Sequence, residues 1–208
     1  MAAASFFFSI TALVILIQLA TSLNSCLAET PVHVHHSGRS TRFIRTSCQT
    51  TLHPNLCFTT FAPYAIRIRG SPRSLATTAL SLALNTTRFT TKSMMSLSKR
   101  HGLKRREAAA LRNCVKEVGD SVDELKESIT KLGLPSAGGS DFRLQMSDIQ
   151  TWVSAALTND DTCMDGLSGK SVNRNLKTRV RIKVVKVAHL MSIALAFVNR
   201  YAAAATHK

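Results

Sequence analysis

Apolar positions recur along this chain at helical spacing. The cleanest stripe is Ala108, Leu111, Val115, Val118, Val122, Leu125, Ile129 and Leu132, spaced 3, 4, 3, 4, 3, 4, 3. Lys116, Glu117, Asp120, Glu124 and Lys126 fall off it, so one side of a long helix faces a core and the rest faces water. Gly133 and Pro135 end that helix, and the loop PSAGGS follows. Met146, Ile149, Val153 and Ala156 repeat the spacing and predict a helix starting near Ser140 or Asp141 and ending around Cys163, before Gly166. Leu176, Val180, Val184, Val187, Met191, Ala194, Val198 and Tyr201 predict another over about 172–203. Upstream, Ser71 caps a helix whose first turn holds Pro72, where a missing N–H costs nothing; it runs to about Lys99. No run alternates with period two long enough to argue for a strand. The expected fold is all-α, an antiparallel up-down-up-down four-helix bundle over 71–205.

Two shorter segments precede it. Residues 43–70 predict a helical hairpin, Phe43 to about Leu52 and Asn55 to about Ile68, with His53-Pro54 between. Residues 29–42, ETPVHVHHSGRSTR, are polar and aperiodic and are expected to form a flexible arm. The first 28 residues carry no Lys, Arg, Asp or Glu, and an apolar stretch runs from Phe6 to Ala20 before small and polar residues. That length and flank predict a cleaved secretory signal, cut after Ala28.

Charge and cysteines then narrow the setting. The net charge of +15 lies wholly outside that leader, and such a balance favours polyanionic surroundings such as acidic polysaccharide or anionic membrane. After export, nucleic acid is the least available of them. Losing Cys26 with the signal leaves Cys48, Cys57, Cys114 and Cys163, enough for two disulfides with three possible connectivities. In SCQTTLHPNLC the two cysteines are too far apart for a paired zinc ligand, and His53 is the only local base for a catalytic thiol. A Cys48–Cys57 clamp on the hairpin fits better. Cys114 lies early on one predicted helix and Cys163 late on the next, so a second bridge there would tie antiparallel neighbours, contributing roughly 4 kcal/mol on a chain-entropy model.

Catalytic signals are absent. There is no phosphate-cradling Gly loop, no HExxH and no nucleophile elbow, and the 12 carboxylates scatter over helix faces. The chain is expected to be no enzyme and to hold no cofactor and no metal; His33, His35 and His36 lack a neighbouring carboxylate or Cys ligand and read as a solvated cluster. Asn85-Thr86-Thr87 is the one N-x-[ST] sequon, an expected glycosylation site.

With that arrangement in view, the chain resembles the plant invertase and pectin methylesterase inhibitor family. The stretches that carry the likeness are SCQTTLHPNLCFTTFAPYA, SPRSLATTALSLAL, REAAALRNCVKEVGDSVDELKESI, MSDIQTWVSAALTNDDTCMDGL and VAHLMSIALAFVNRYA. They extend from Cys48 to Tyr201. The resemblance implies a hairpin beside a four-helix bundle, bridges Cys48–Cys57 and Cys114–Cys163, secretion to the plant cell wall, and inhibition of a carbohydrate-active enzyme by a 1:1 complex that covers its cleft. SPRSLATTAL and MSDIQTWVSAALT look more like the pectin methylesterase inhibitors than the invertase inhibitors, whose Pro-Lys-Phe element is missing. Contact would use the second to fourth bundle helices, with Asp120, Gln150, Ser154 and Asp160 as candidates; Trp152, beside the stripe residue Val153, reads as partly buried packing. The charge also implies electrostatic association with anionic pectin, and a basic pectin-binding wall protein with no enzyme target is the reading from another class.

Overall fold

The computed structural model describes residues 32–135 and 139–206. Its helices are α1 (Val32–Cys48), α2 (Pro54–Phe61), a 3₁₀ turn (Ala62–Tyr64), α3 (Ala65–Ile68), α4 (Pro72–Ser98), α5 (Arg105–Gly133), α6 (Gly139–Gly166) and α7 (Arg174–Thr206). The signal segment lies outside the described residues, as do the side chains of His33, His35 and His36.

Two expectations for the N-terminal part need correction. The segment 29–42 is not an arm throughout, because α1 already begins at Val32. Ser40 is buried, and Ile44, Ser47 and Cys48 continue the same inner side at helical spacing; a small serine in the first core position hid the periodicity. The same helix stops at Cys48 rather than near Leu52. Beyond it the chain turns, with the Thr51 amide and hydroxyl both donating to the Cys48 carbonyl and the Thr50 hydroxyl donating to the Ser47 carbonyl. Those bonds occupy carbonyls that a continuing helix would have used. Pro54 is then the first residue of α2, not a linker.

Arg69 and Gly70 both take positive φ, +50° and +71°, reversing the chain into the long helices. Ser71 caps α4, its Oγ accepting from the Ser74 amide at 3.2 Å. α4 to α7 each pack on their chain neighbours, and α4 closes against α7, giving the square bundle that the stripes predict. The α5–α6 side and the α4–α7 side are therefore opposite faces. α7 is long and apolar enough to cross a membrane by length and composition, yet its stripe from Leu176 to Val198 is core.

The core comes in two apolar clusters. One joins Ile44, Phe61 and Ile68 of the hairpin to Leu75, Leu84, Leu125, Leu132, Val153, Ala156, Val187 and Phe197. The other holds Met94, Leu111, Cys114, Val118, Cys163, Leu167 and Val184. Between them the buried positions of three helices turn polar: Thr87 and Thr90 on α4, Ser121 on α5 and Asp160 on α6. The Thr87 hydroxyl donates to the Ala83 carbonyl and Ser121 donates across the helix pair to the Ala156 carbonyl at 3.1 Å. Each buried Leu or Phe contributes about 1.5–3 kcal/mol against about 0–1 for an exposed ion pair, so the clusters, not the surface, hold the bundle together.

Candidate functional site

α5 and α6 present the bundle's polar ridge. On α5 the apolar positions 111, 118, 125 and 132 point inward with Cys114, Ser121 and Ser128, while Val115, Val122 and Ile129 sit half-buried at the stripe's edge. A second, acidic line runs along the outer surface, Glu117, Asp120, Glu124 and Glu127, at spacing 3, 4, 3. It borders α6, because the Asn159 amide donates to Glu124 Oε2 at 3.0 Å and Lys131 pairs with Asp148 at 2.7 Å. Burial, and after it the charge of Asp120, pushes the Glu124 carboxyl up, with the Asn159 amide holding it partly down. Trp152 lies half-buried on this edge of α6. Gln145 fastens the far end, its amide donating to the Lys131 and Leu134 carbonyls.

The structure separates the four residues expected to bind a partner. Asp120 is on the ridge, paired with Lys116 at 2.6 Å. Ser154 is exposed on the outward face of α6. Gln150 points to the other edge, its amide donating to Asn199 Oδ1 of α7 at 2.8 Å. Asp160 is no surface contact at all: it is 1 % exposed. Ile149, Val153, Ala156, Asp160 and Cys163 are spaced 4, 3, 4, 3, which places Asp160 in the core stripe, and neither carboxyl oxygen has a hydrogen-bond partner. Asn159 to Thr162 are part of α6.

Cys48 and Cys57 are bonded, with Cα atoms 5.5 Å apart, as are Cys114 and Cys163, 4.2 Å apart. The first bridge closes the hairpin and the second ties α5 to α6 beneath the ridge. Asn85 is exposed midway along α4, away from the ridge. Pattern reading passed over Glu107. Its Oε2 accepts from the Lys104 amide and its Oε1 from the Asn173 amide, at 2.9 and 2.8 Å, latching the start of α5 to the start of α7. The two donors, Lys104 first, hold this carboxyl below the usual range. Its third place in α5 makes it the acidic half of a capping box, but Lys104 stands where the S/T-x-x-E signature has a hydroxyl residue, so pattern alone does not mark it.

Among the described residues no group of three His, Cys, Asp or Glu gathers in metal-binding geometry. An open cleft of about 530 Å³ beside Arg73 has a structural occupant for its cation, since the guanidinium donates to the Leu132 carbonyl at 2.8 Å. What the ridge offers is a rigid line of carboxylates and an indole, cross-linked and cross-bonded from below. That arrangement suits recognition of a folded partner.

The family model described as plant invertase/pectin methylesterase inhibitor matches residues 42–197. The 21 kDa protein of Daucus carota is 44% identical over 167 residues, covering 80% of this chain and 86% of its own length. Pectinesterase inhibitor 10 of Arabidopsis thaliana is 46% identical over 161 residues, 77% of this chain and 51% of that protein. Among solved structures, mutant form A of a pectin methylesterase inhibitor from Arabidopsis superposes with a TM-score of 0.60 at 25% identity, covering 75% of this chain and 95% of that one.

Proposed function

The chain belongs to the plant invertase/pectin methylesterase inhibitor family, and from that premise we propose that it is an inhibitor of pectin methylesterase acting by occlusion. It is an inhibitor rather than an enzyme, with pectin methylesterase as its partner and the cell wall as its setting. The observation that carries this is the match to a pectinesterase inhibitor at 46% identity over 161 residues, joined to a cross-linked helical block bearing a polar ridge.

Occlusion needs a surface that does not yield when pressed into a cleft, and preorganisation cuts the ordering cost of binding. Here the Cys114–Cys163 bridge and the bonds from Asn159, Lys131 and Gln145 hold the α5–α6 ridge in one shape. We place the docking face there, with Asp120, Glu124 and Trp152 at its centre, Ser154 on its flank and a 1:1 complex. Gln150, already bonded to α7, is a peripheral member. Export through a signal cut after Ala28 accounts for the two bridges, which persist in an oxidising compartment.

Titration of the secreted protein against pectin methylesterase and against invertase tests the reading. Stoichiometric loss of esterase activity with invertase untouched is expected. Inhibition of invertase alone would overturn the choice of target, and inhibition of neither would overturn the function.

A further inference from the structure

The charges of this molecule are sorted by helix. Of its 12 carboxylates, six lie on α5 and five on α6. α4 and α7 carry none, against three and seven Lys and Arg. All three ion pairs among the described residues also lie within α5 and α6. The α4–α7 face, opposite the ridge, is therefore a cationic surface without internal counter-charge.

Two facing stripes concentrate it. Arg179, Ile182, Lys183 and Lys186 follow each other on one side of α7, and Phe89 and Lys92, three apart, on one side of α4. The stripes meet where Lys183 Nζ stands 5.9 Å over the Phe89 ring. Phe89 and Ile182 are each 68% exposed. A lone exposed apolar residue is ordinary. Here an aromatic ring and an isoleucine lie in water inside a field of four cations, a combination that neither solubility nor packing calls for. A ring of that kind stacks on the C–H face of a pyranose, while Arg and Lys pair with carboxylates.

We propose that the α4–α7 face is a binding track for a linear polyuronate, the de-esterified form of pectin, with Phe89 stacking on a sugar ring and Lys92, Arg179, Lys183 and Lys186 pairing with successive carboxylates. The choice of polymer rests on the functional reading above; the location of the track does not. Because the track and the ridge are opposite faces, the chain holds the polymer and the enzyme at once. Pectin methylesterase makes the polyanion that the track captures, so the inhibitor accumulates where its target has worked. An attached glycan at Asn85, one turn before Phe89 on the same stripe, would border the track and limit its length.

Retention on immobilised polygalacturonate, with no enzyme present, separates this from inhibition. The full secreted protein is compared with its Asn85→Gln form, and each with highly methyl-esterified pectin as the neutral counterpart. Retention on polygalacturonate and passage over the esterified polymer are expected. Joint replacement Arg179→Gln, Lys183→Gln and Lys186→Gln should weaken polygalacturonate binding at least ~10-fold, whereas Arg39→Gln, Arg42→Gln and Arg106→Gln, which remove the same charge from other exposed positions, should cost under ~3-fold. Phe89→Ala, which leaves net charge unchanged, should cost several-fold on polygalacturonate and nothing on polyacrylate, a polycarboxylate without sugar rings. Equal losses for the two triple variants, or no effect of Phe89→Ala, would reduce the interaction to bulk charge and overturn the track. Lys183 is half-buried and the other positions are exposed, and melting temperatures confirm that the variants remain folded. A protein that inhibits nothing yet shows this pattern keeps the track and loses the functional reading; the reverse result does the opposite.

Discussion

Asp160 shows what a single side chain can cost. Burial, then the charges of Asp161 and Glu124, pushes its carboxyl up to about 8, from about 4 in an unfolded chain. Both carboxyl oxygens are buried without a partner, and the other core positions at this level, Thr87, Thr90, Ser121, Val184 and Val187, bring no cation. The sign follows from linkage: the folded state binds the extra proton, so the contribution is fully present below pH about 4 and fades as pH rises towards 8. At mildly acidic pH the group is neutral. Asp160→Asn should therefore raise stability by about 1–3 kcal/mol at pH 8 and change little at pH 4.5, read as melting temperature at the two values. A substitution equally harmful at both would show that the carboxyl has a partner in solution. This residue was legible as core from its 4, 3, 4, 3 spacing alone; its charge argued for the surface, and position won.

At the scale of elements, the four long helices were readable because their stripes are long and uniformly apolar, whereas the hairpin was not. α1 opens its inner side with Ser40, and hydroxyl bonds at Thr50 and Thr51 end it early, so neither end announces itself by hydropathy. The hairpin meets the bundle through Phe61 edge-on to Phe197 at 5.4 Å and through His53 against His189, ring centres 3.8 Å apart. Burial, and secondarily His53, holds the His189 imidazole below its usual range. The stability this contributes is present above pH about 6.5 and is lost as pH falls through the depressed folded value. Acidification thus loosens the hairpin joint while it favours the neutral form of Asp160. His189→Gln should flatten the change in hairpin protection between pH 7 and pH 5, measured by hydrogen exchange over residues 43–68. An unchanged pH profile would assign that protection to the apolar contacts alone. Opening the Cys48–Cys57 loop by Ser at both positions should cost about 3 kcal/mol on the chain-entropy model, with loss of protection confined to the same segment.

The whole molecule is an electrostatic dipole wrapped round an apolar bundle, and this was the least legible feature of all. A net charge of +15 reads as diffuse basicity until the helices are assembled. Only the closure of α4 on α7 turns two carboxylate-free segments into one face and sets the acidic line of α5 opposite. Against an enzyme surface of the same sign, a net charge of +15 opposes approach once the two come within a Debye length, about 8 Å at physiological salt. An acidic ridge reverses the local sign within that distance and orients the encounter, an effect seen chiefly in association rate. Joint replacement Glu117→Gln, Asp120→Asn and Glu127→Gln should therefore slow association with pectin methylesterase by about 10-fold at low salt. The deficit should shrink as ionic strength rises, while dissociation changes far less. Stopped-flow or surface-based kinetics at two salt concentrations read both rates. If association is untouched at low salt, the ridge does not face the enzyme, and the docking surface belongs to another side of the bundle.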